Sequence, residues 1–352
     1  MLATRSGVPG MVAAARRPWT SPPCPLPLGG CRVVNLALNV PGPVAAARLQ
    51  ALGATVVKVE PPGGDPLAAV APAWYAQLTA GQEVRTLDLK TPRGREALER
   101  LLADADLLLT AQRPAALARL GLAPAEVGRR FPRLAYVAMV GYPPPRQDEP
   151  GHDLTYLAEA GLLEPPVLPR TLMADLAGAE RAVSAALALL LGRERGHAAR
   201  YVEVPLAEAA ADWAAPLRHG LTAPGGVLGG GLPLYRCYPA QDGWVALAAL
   251  EPHFARRLLE ALGVRATRGG RAGADTGSGG GRPVPEDAPP AENARPWADA
   301  PPWEYARTLE AFLADVFRRR PAREWEDWAR ERDLPLTAVR AVPRAGDRPA
   351  GG

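Results

Sequence analysis

Short apolar segments alternate with helix-like segments over the first 140 residues of the chain. The apolar runs predict buried strands at 31–38, 55–60, 84–89, 106–110 and 133–140. Apolar residues at helical spacing between them predict helices over 43–52, 91–104 and 114–129. A strand, a helix and a further strand normally form a parallel pair with a right-handed crossover. Repetition of this unit predicts an α/β fold with a doubly wound parallel sheet.

The pattern changes beyond the last of these strands, where glycine, tyrosine and proline fill positions 141–145. A segment rich in Ala and Leu then predicts a long helix over 175–195, and a strand at 200–204 leads into a helix that ends at 217. Two strand-like runs around the turn Gln241-Asp242-Gly243 predict a hairpin. The chain is therefore expected to have a large domain over 32–205 and a smaller α+β domain over 206–265.

Large apolar residues are sparse in three parts of the chain. Segments dominated by Gly, Pro, Ala and Arg cannot bury enough surface to order themselves. We expect a poorly ordered extension at 1–31, a flexible low-complexity insertion at 266–300 and a disordered tail at 342–352. Apolar spacing predicts C-terminal helices within 301–341.

Composition excludes several classes of function. The 352 residues are 47% apolar and carry 41 Lys and Arg against 37 Asp and Glu, so the net charge of +4 is only mildly basic. Because basic and aromatic residues are not interleaved, no nucleic-acid partner is expected. The longest apolar run, near 185–191, is too short to span a membrane. The three cysteines are scattered and predict neither disulfides nor a metal site, which favours a cytoplasmic protein.

One histidine precedes a carboxylate that is placed to act with it. The chain has only four histidines, and His152 stands in the motif GHDLTY, upstream of Asp175 in the motif LMADLAG. An imidazole and a carboxyl group on opposite sides of one substrate carbon can move protons. Asp175 is expected to begin the long helix, where the helix dipole stabilises a carboxylate anion and favours a nucleophile.

An acid at the end of the second strand suggests a different hypothesis. Glu60 has the position of the acid that binds the ribose of a dinucleotide. However, residues 39–43 (NVPGP) lack the GxGxxG pattern, and their prolines remove amide donors that a pyrophosphate needs. A dinucleotide cofactor is therefore not predicted.

Several further motifs occur in a fixed order along the chain. They are PGP at 41–43, LGATVVKVEPPGGDP at 52–66, LDLKTP at 87–92, GHD at 151–153 and ADLAG at 174–178. On these motifs, residues 32 to about 340 resemble the class III CoA-transferase family (CaiB/BaiF). Within it the chain looks most like the α-methylacyl-CoA racemase branch.

The resemblance implies a Rossmann-like large domain with a smaller domain, assembled as an interlocked homodimer. It implies an acyl-CoA thioester as substrate, with no metal or redox cofactor. His152 and Asp175 would be the two acid/base groups, with Asp153 and Glu251 as nearby supporting carboxylates.

Three basic residues are candidates to contact the phosphates of CoA. They are Lys58, Lys90 and Arg113, although each is equally compatible with an ordinary solvated charge.

Three functions stay open at this point. The favoured one is α-proton transfer, which epimerises a 2-methylacyl-CoA, with backbone N–H groups near Gly141 or Gly230 stabilising the enolate. The second is CoA transfer between carboxylic acids, with Asp175 as the nucleophile. The third is a degenerate, non-catalytic family member, suggested by the unusual segments 80–85 and 141–145.

Overall fold

The computed structural model describes residues 26–264 and 303–341 of the chain. They belong to two compact units, which divide between Ala214 and Ala215. The expectations for 266–300, for 342–352 and for residues 1–25 of the predicted extension lie outside the described residues. Residues 26–31 of that extension form a turn ahead of the first strand, and the backbone N–H of Leu28 donates to the carbonyl of Leu52.

The first unit is built on a six-stranded sheet in which every pairing is parallel. The spatial order is β3-β2-β1-β4-β5-β6, the order of a doubly wound Rossmann-like sheet, as the sequence predicts. The strands are β1 (Arg32–Asn35), β2 (Thr55–Glu60), β3 (Glu83–Thr86), β4 (Leu107–Thr110), β5 (Ala135–Val140) and β6 (Tyr201–Pro205).

Helices cover both faces of this sheet, so its central strands are largely apolar. In β4, Leu107 and Leu109 pack into the core on one face, and Leu108 packs into the core on the other. The nine helices described in the first unit are α1 (Pro41–Ala51), α2 (Pro66–Val70), α3 (Pro72–Thr79), α4 (Pro92–Ala103), α5 (Pro114–Arg119), α6 (Pro124–Arg130), α7 (Asp153–Glu159), α8 (Met173–Glu194) and α9 (Leu206–Trp213).

Two of the sequence motifs have clear structural roles in this unit. In the PGP motif, Pro41 begins α1, and a side chain at Gly42 would collide with Ala37 after β1. In the LDLKTP motif, the Thr91 side chain accepts a hydrogen bond from the backbone N–H of Gly94 at 3.1 Å and so caps α4. These motifs therefore secure the packing of two helices at their first turns.

The second unit contains an antiparallel three-stranded sheet of order β7-β8-β9. The predicted hairpin is confirmed, since β7 (Tyr235–Pro239) pairs with β8 (Trp244–Ala248), and β9 (Leu336–Ala338) adds to β8. Its core includes Phe317 and Trp325. Its helices are α10 (Ala215–Arg218), α11 (Pro252–Ala261), α12 (Trp303–Phe317) and α13 (Ala322–Arg330), with a π-helical segment at Val227–Gly231.

The boundary between the domains differs from the predicted one. The sequence predicts α9 in the small domain, but this helix packs on α7 and α8 and belongs to the first unit. Leu206 and Ala210 of α9 are buried there with Leu157 of α7. The first unit therefore continues to Ala214 instead of ending at residue 205.

Candidate active site

A cavity of about 250 Å³ opens in the first unit where the carboxyl ends of β1, β4 and β5 meet. The strand order reverses between β1 and β4, and ligands of open α/β sheets collect at such a switch point. The residues lining the cavity include Asn39, Gln112, Arg113, Gly141, His152 and Asp175.

Buried hydrogen bonds hold the loops that form this end of the cavity. Asn39 has a left-handed backbone with φ of 65°, a conformation that asparagine tolerates better than most residues. Its backbone N–H donates to Asp65 Oδ1 at 2.9 Å. The Gln112 side chain, after β4, donates to the carbonyl of Leu36 at 2.6 Å. The loops after β1 and β4 are therefore tied to the body of the unit.

His152 lies immediately before α7 and exposes its side chain to solvent. Its backbone N–H donates to Thr155 Oγ1 at 3.0 Å, and the Thr155 hydroxyl donates back to the His152 carbonyl at 2.8 Å. This reciprocal pair positions the backbone of His152 at the cavity wall.

Asp153 links the two helices that carry the candidate acid/base residues. It begins α7 and is buried, and its Oδ1 accepts a hydrogen bond of 3.0 Å from the backbone N–H of Asp175. Because the first backbone N–H groups of a helix lack partners within the helix, Asp153 satisfies one of them in α8. Asp153 is thus a structural link between the two motifs GHD and ADLAG.

Asp175 lies in the first turn of α8, which begins two residues earlier than predicted, at Met173. Burial, and secondly the negative charge of Asp153, raise the pKa of Asp175 from its usual 3.8 to about 7. The expected effect of the helix dipole on this group is therefore outweighed, because the dipole would favour the anion. A carboxyl group with such a pKa exchanges protons readily near neutral pH.

The structure brings His152 and Asp175 to the same cavity. Asp153 contacts Asp175 through the hydrogen bond from the Asp175 backbone N–H described above. An imidazole and a carboxyl group that share a cavity can move protons to and from one bound molecule.

The three basic candidates have different surroundings. Arg113 is exposed beside α5 and lines the cavity. Lys90 is exposed in the turn before α4, and a CoA contact there stays a prediction. Lys58 does not fit the expectation: its side chain is 0% exposed, and its ammonium donates to Asp65 Oδ2 at 2.7 Å and to the Ala37 carbonyl at 3.2 Å.

Glu251 and Glu60, two carboxylates considered in the sequence analysis, do not line the cavity. Glu251 belongs to the second unit, where it is exposed directly before α11, and its role stays a prediction. Glu60 is buried, and its Oε1 accepts a hydrogen bond of 2.6 Å from the Tyr75 hydroxyl. Within the described residues, Glu60 thus forms a buried hydrogen bond inside the first unit.

The polar lining residues to which the sequence assigns no role are Asn39, Gln112, Gln147, Glu149 and Tyr156. The first two follow predicted strands β1 and β4, so the switch-point rule could have identified them. Tyr156 stands in the GHDLTY motif, but its orientation depends on α7, a helix too short to show a clear apolar period.

Comparison with known proteins gives the family. The model of CoA-transferase family III matches residues 28–350. The chain belongs to CoA-transferase family III. A probable fatty acyl-CoA transferase of Mycobacterium tuberculosis is 35% identical over 203 residues, which are 52% of this chain and 51% of that protein. Human α-methylacyl-CoA racemase is 32% identical over 256 residues, covering 68% of this chain and 65% of the racemase. The matches thus span about half to two thirds of these relatives' lengths.

Two solved structures share the fold of this chain. The crystal structure of a hypothetical protein from Mycobacterium tuberculosis is 25% identical, with a TM-score of 0.69 over 90% of this chain and 86% of that one. A CAIB/BAIF family protein from Brucella suis, 21% identical, shares the fold with a TM-score of 0.66, covering 91% of this chain and 85% of that one.

Membrane-spanning helices and metal-binding clusters are both absent from the part of the chain that the structure describes. Within 26–264 and 303–341, no helix is long and apolar enough to cross a membrane. The same residues contain no cluster of three His, Cys, Asp or Glu side chains suited to a metal ion.

Proposed function

We propose that this member of CoA-transferase family III acts on acyl-CoA thioesters by α-proton transfer, and epimerises a 2-methylacyl-CoA. The observation that carries the proposal is the shared cavity of His152 and Asp175, where the pKa of Asp175 is raised to about 7. The likeness to α-methylacyl-CoA racemases of human and mouse, at 32% and 31% identity, supports the substrate class.

The reaction requires two proton transfers at one carbon. A thioester acidifies its α-carbon, so the neutral imidazole of His152 removes the α-proton and the C–H electrons move onto the thioester oxygen. The protonated carboxyl of Asp175 then returns a proton to the opposite face, and the electrons return from oxygen to carbon. In the reverse direction the two groups exchange roles. A carboxyl pKa near 7 suits both roles, because both protonation states are populated at neutral pH.

The second candidate function is CoA transfer, and the relatives support it as well. A cinnamoyl-CoA:phenyllactate CoA-transferase of Clostridium sporogenes is 32% identical over 163 residues, 40% of each chain. In this reaction the ionised Asp175 attacks the thioester carbonyl and expels the CoA thiolate. The thiolate then attacks the resulting anhydride, which releases the first acid, and CoA passes from the aspartyl thioester to a second carboxylate.

One incubation separates these functions. Purified protein is mixed with (2R)-2-methylacyl-CoA in deuterated water, with and without a free carboxylic acid. The proposal predicts deuterium at C2 together with loss of stereochemical purity. CoA transfer to the added acid without C2 exchange would instead establish the second function, and the absence of both reactions would leave a non-catalytic protein.

Variants test the two assigned residues. His152→Ala and Asp175→Asn are each expected to slow the exchange by about 100-fold or more, the usual contribution of a general acid or base. His197→Ala removes an exposed imidazole beyond α8 and serves as the matched control. Full exchange in His152→Ala would refute the two-base assignment.

A further inference from the structure

The hydroxyl of Tyr156 lies at the wall of the candidate cavity without a role in the reaction described above. The residue is only 3% exposed, and it follows Asp153 by three positions on α7. Its ring packs edge-on against Tyr142, with the ring centroids 5.1 Å apart. The side chain is therefore held firmly beside the two acid/base candidates.

Two glycines leave the space that this hydroxyl occupies. A Cβ atom at Gly141 would lie 2.6 Å from the Tyr156 hydroxyl oxygen, and one at Gly151 would lie 2.8 Å from it. Such distances are shorter than real side chains show, so any larger residue would displace the tyrosine. Both glycines also line the cavity, which places the hydroxyl between two of its walls.

The hydroxyl donates no hydrogen bond to any of the residues that the structure describes. Other buried tyrosines do find an acceptor: Tyr136 donates to the Leu122 carbonyl at 3.2 Å, and Tyr238 to the Pro233 carbonyl at 2.7 Å. Among the described residues, the buried side-chain atoms without a partner are Asn35 Nδ2, Gln82 Oε1 and Arg200 Nε, so the Tyr156 hydroxyl is not enclosed in the protein interior. It is open to the cavity, where a bound ligand can supply the acceptor.

The charge state of Tyr156 suits a hydrogen-bond donor. Burial is the main cause that raises its pKa to about 12, and the nearby Tyr142 and Asp175 add to the effect. The phenol therefore keeps its proton at neutral pH and can donate to an oxygen that gains negative charge.

We propose that the Tyr156 hydroxyl donates a hydrogen bond to the thioester oxygen of bound acyl-CoA. This inference rests on the proposed function only in that the ligand is an acyl-CoA. During α-proton removal the C–H electron pair moves onto that oxygen, while the phenolic proton stays on Tyr156 and its hydrogen bond strengthens. During CoA transfer the same oxygen becomes the oxyanion of the tetrahedral intermediate. Tyr156 thus stabilises the charge that either chemistry creates.

The kinetic test compares two variants that each lose one phenolic oxygen. Tyr156→Phe is expected to lower kcat for exchange, or for transfer, by about 100-fold with little change in KM, since the bond strengthens in the transition state. Tyr142→Phe is the matched control, because its hydroxyl interacts with Glu159 and its residue does not line the cavity. It is expected to stay within about threefold of the wild type. Thermal unfolding of both variants checks that the edge-on ring packing survives.

A second measurement works without turnover. Acyl-CoA carrying a ¹³C-labelled thioester carbonyl is bound to each protein, and the infrared frequency of the carbonyl is recorded. The wild type and Tyr142→Phe should lower this frequency relative to free acyl-CoA, and Tyr156→Phe should lose most of that shift.

The outcomes separate the two proposals. If the wild type binds acyl-CoA but neither exchanges nor transfers, the proposed function fails and the carbonyl frequency alone decides the role of Tyr156. If the wild type is active and Tyr156→Phe keeps its kcat and its carbonyl shift, the role of Tyr156 is overturned while the proposed function stands. Failure of the wild type to bind acyl-CoA would overturn both.

Discussion

Replacement of Lys58 by methionine is expected to destabilise the first unit far more than the loss of a surface charge does. Lys58 and Asp65 have side chains that are both 0% exposed, and their charged atoms lie 2.7 Å apart. Methionine fills a similar volume but leaves Asp65 and Glu60 buried without the ammonium. Removal of one member of a buried ion pair costs about 3–5 kcal/mol, because the other charge remains uncompensated.

The assay is native-state hydrogen exchange of the backbone amides of β1 and β4, which reports the opening of the first unit alone. A loss of 3 kcal/mol corresponds to exchange that is roughly 100-fold faster. Glu180→Gln supplies the matched control, since Glu180 forms an exposed pair with Arg48 at 2.9 Å in the same unit. That change is expected to cost less than about 1 kcal/mol.

A double variant tests the physical reason. In Lys58→Met with Asp65→Asn, the asparagine oxygen still accepts from the backbone N–H groups of Asn39 and Leu67, which Asp65 Oδ1 now holds at 2.9 and 3.0 Å. The double variant should therefore regain about 2 kcal/mol or more of the loss. If Lys58→Met alone matches Glu180→Gln, or if the double variant is worse than the single one, the reasoning is refuted.

The remaining predictions concern Asp175 and its helix. Asp153→Asn removes the negative charge that contributes to the raised pKa of Asp175, whereas burial remains. The limb of the pH profile for exchange that reports Asp175 should therefore move below 7 without reaching 3.8. A limb that does not move would contradict this prediction. The native state holds the Asp175 proton more tightly than the unfolded state does. The contribution of Asp175 to the free energy of unfolding therefore falls as pH rises from about 4 to 7. Asp175→Asn should remove this loss, so urea unfolding at pH 8 should show the variant to be more stable than the wild type by at most roughly 4 kcal/mol. Equal stability of the two proteins would count against the burial argument. Gly178→Ala in α8 would collide with Leu206 of α9 and should cost about 1–3 kcal/mol in thermal unfolding, whereas Gly128→Ala in α6 meets nothing within 4 Å and should cost nothing.

The sequence predicts the central strands of the sheet well because β4 and β5 are buried on both faces. An apolar run such as Leu107-Leu108-Leu109 needs no knowledge of its neighbours to be recognised as a central parallel strand. The apolar pattern does not predict helices α2, α3 and α7, since each spans at most eight residues and has too few turns for an apolar period. Their positions depend on capping and on contacts with distant parts of the chain.

Long-range packing explains two differences between the prediction and the structure, in the domain boundary and in the surroundings of Lys58. The predicted boundary at 205 differs from the division after Ala214 because Leu206 is buried against Gly178 of α8, a contact between residues far apart in the chain. Lys58 is a candidate to contact CoA only if its ammonium is exposed, as that of a lysine usually is. Its place within the apolar strand β2, with Asp65 seven residues later, was a usable sign of a buried pair.

Two buried carboxylates of the first unit show why Asp175, and not Asp65, is suited to chemistry. Asp65 lies 2.7 Å from an ammonium and accepts two backbone N–H groups, so the protein compensates its negative charge. Asp175 has no cation paired with it among the described residues, and its neighbour is a second carboxylate, Asp153. Burial without compensation raises the proton affinity of a carboxyl group, whereas compensation holds its charge in place.

A proton on Asp175 is therefore easily gained and lost near pH 7, which leaves the protonated form available as an acid and the ionised form available as a base or nucleophile. The choice between the two proposed reactions then depends on the group that faces Asp175 across the substrate. We assign that place to His152, since the other carboxylate that lines the cavity, Glu149, is paired with Arg146.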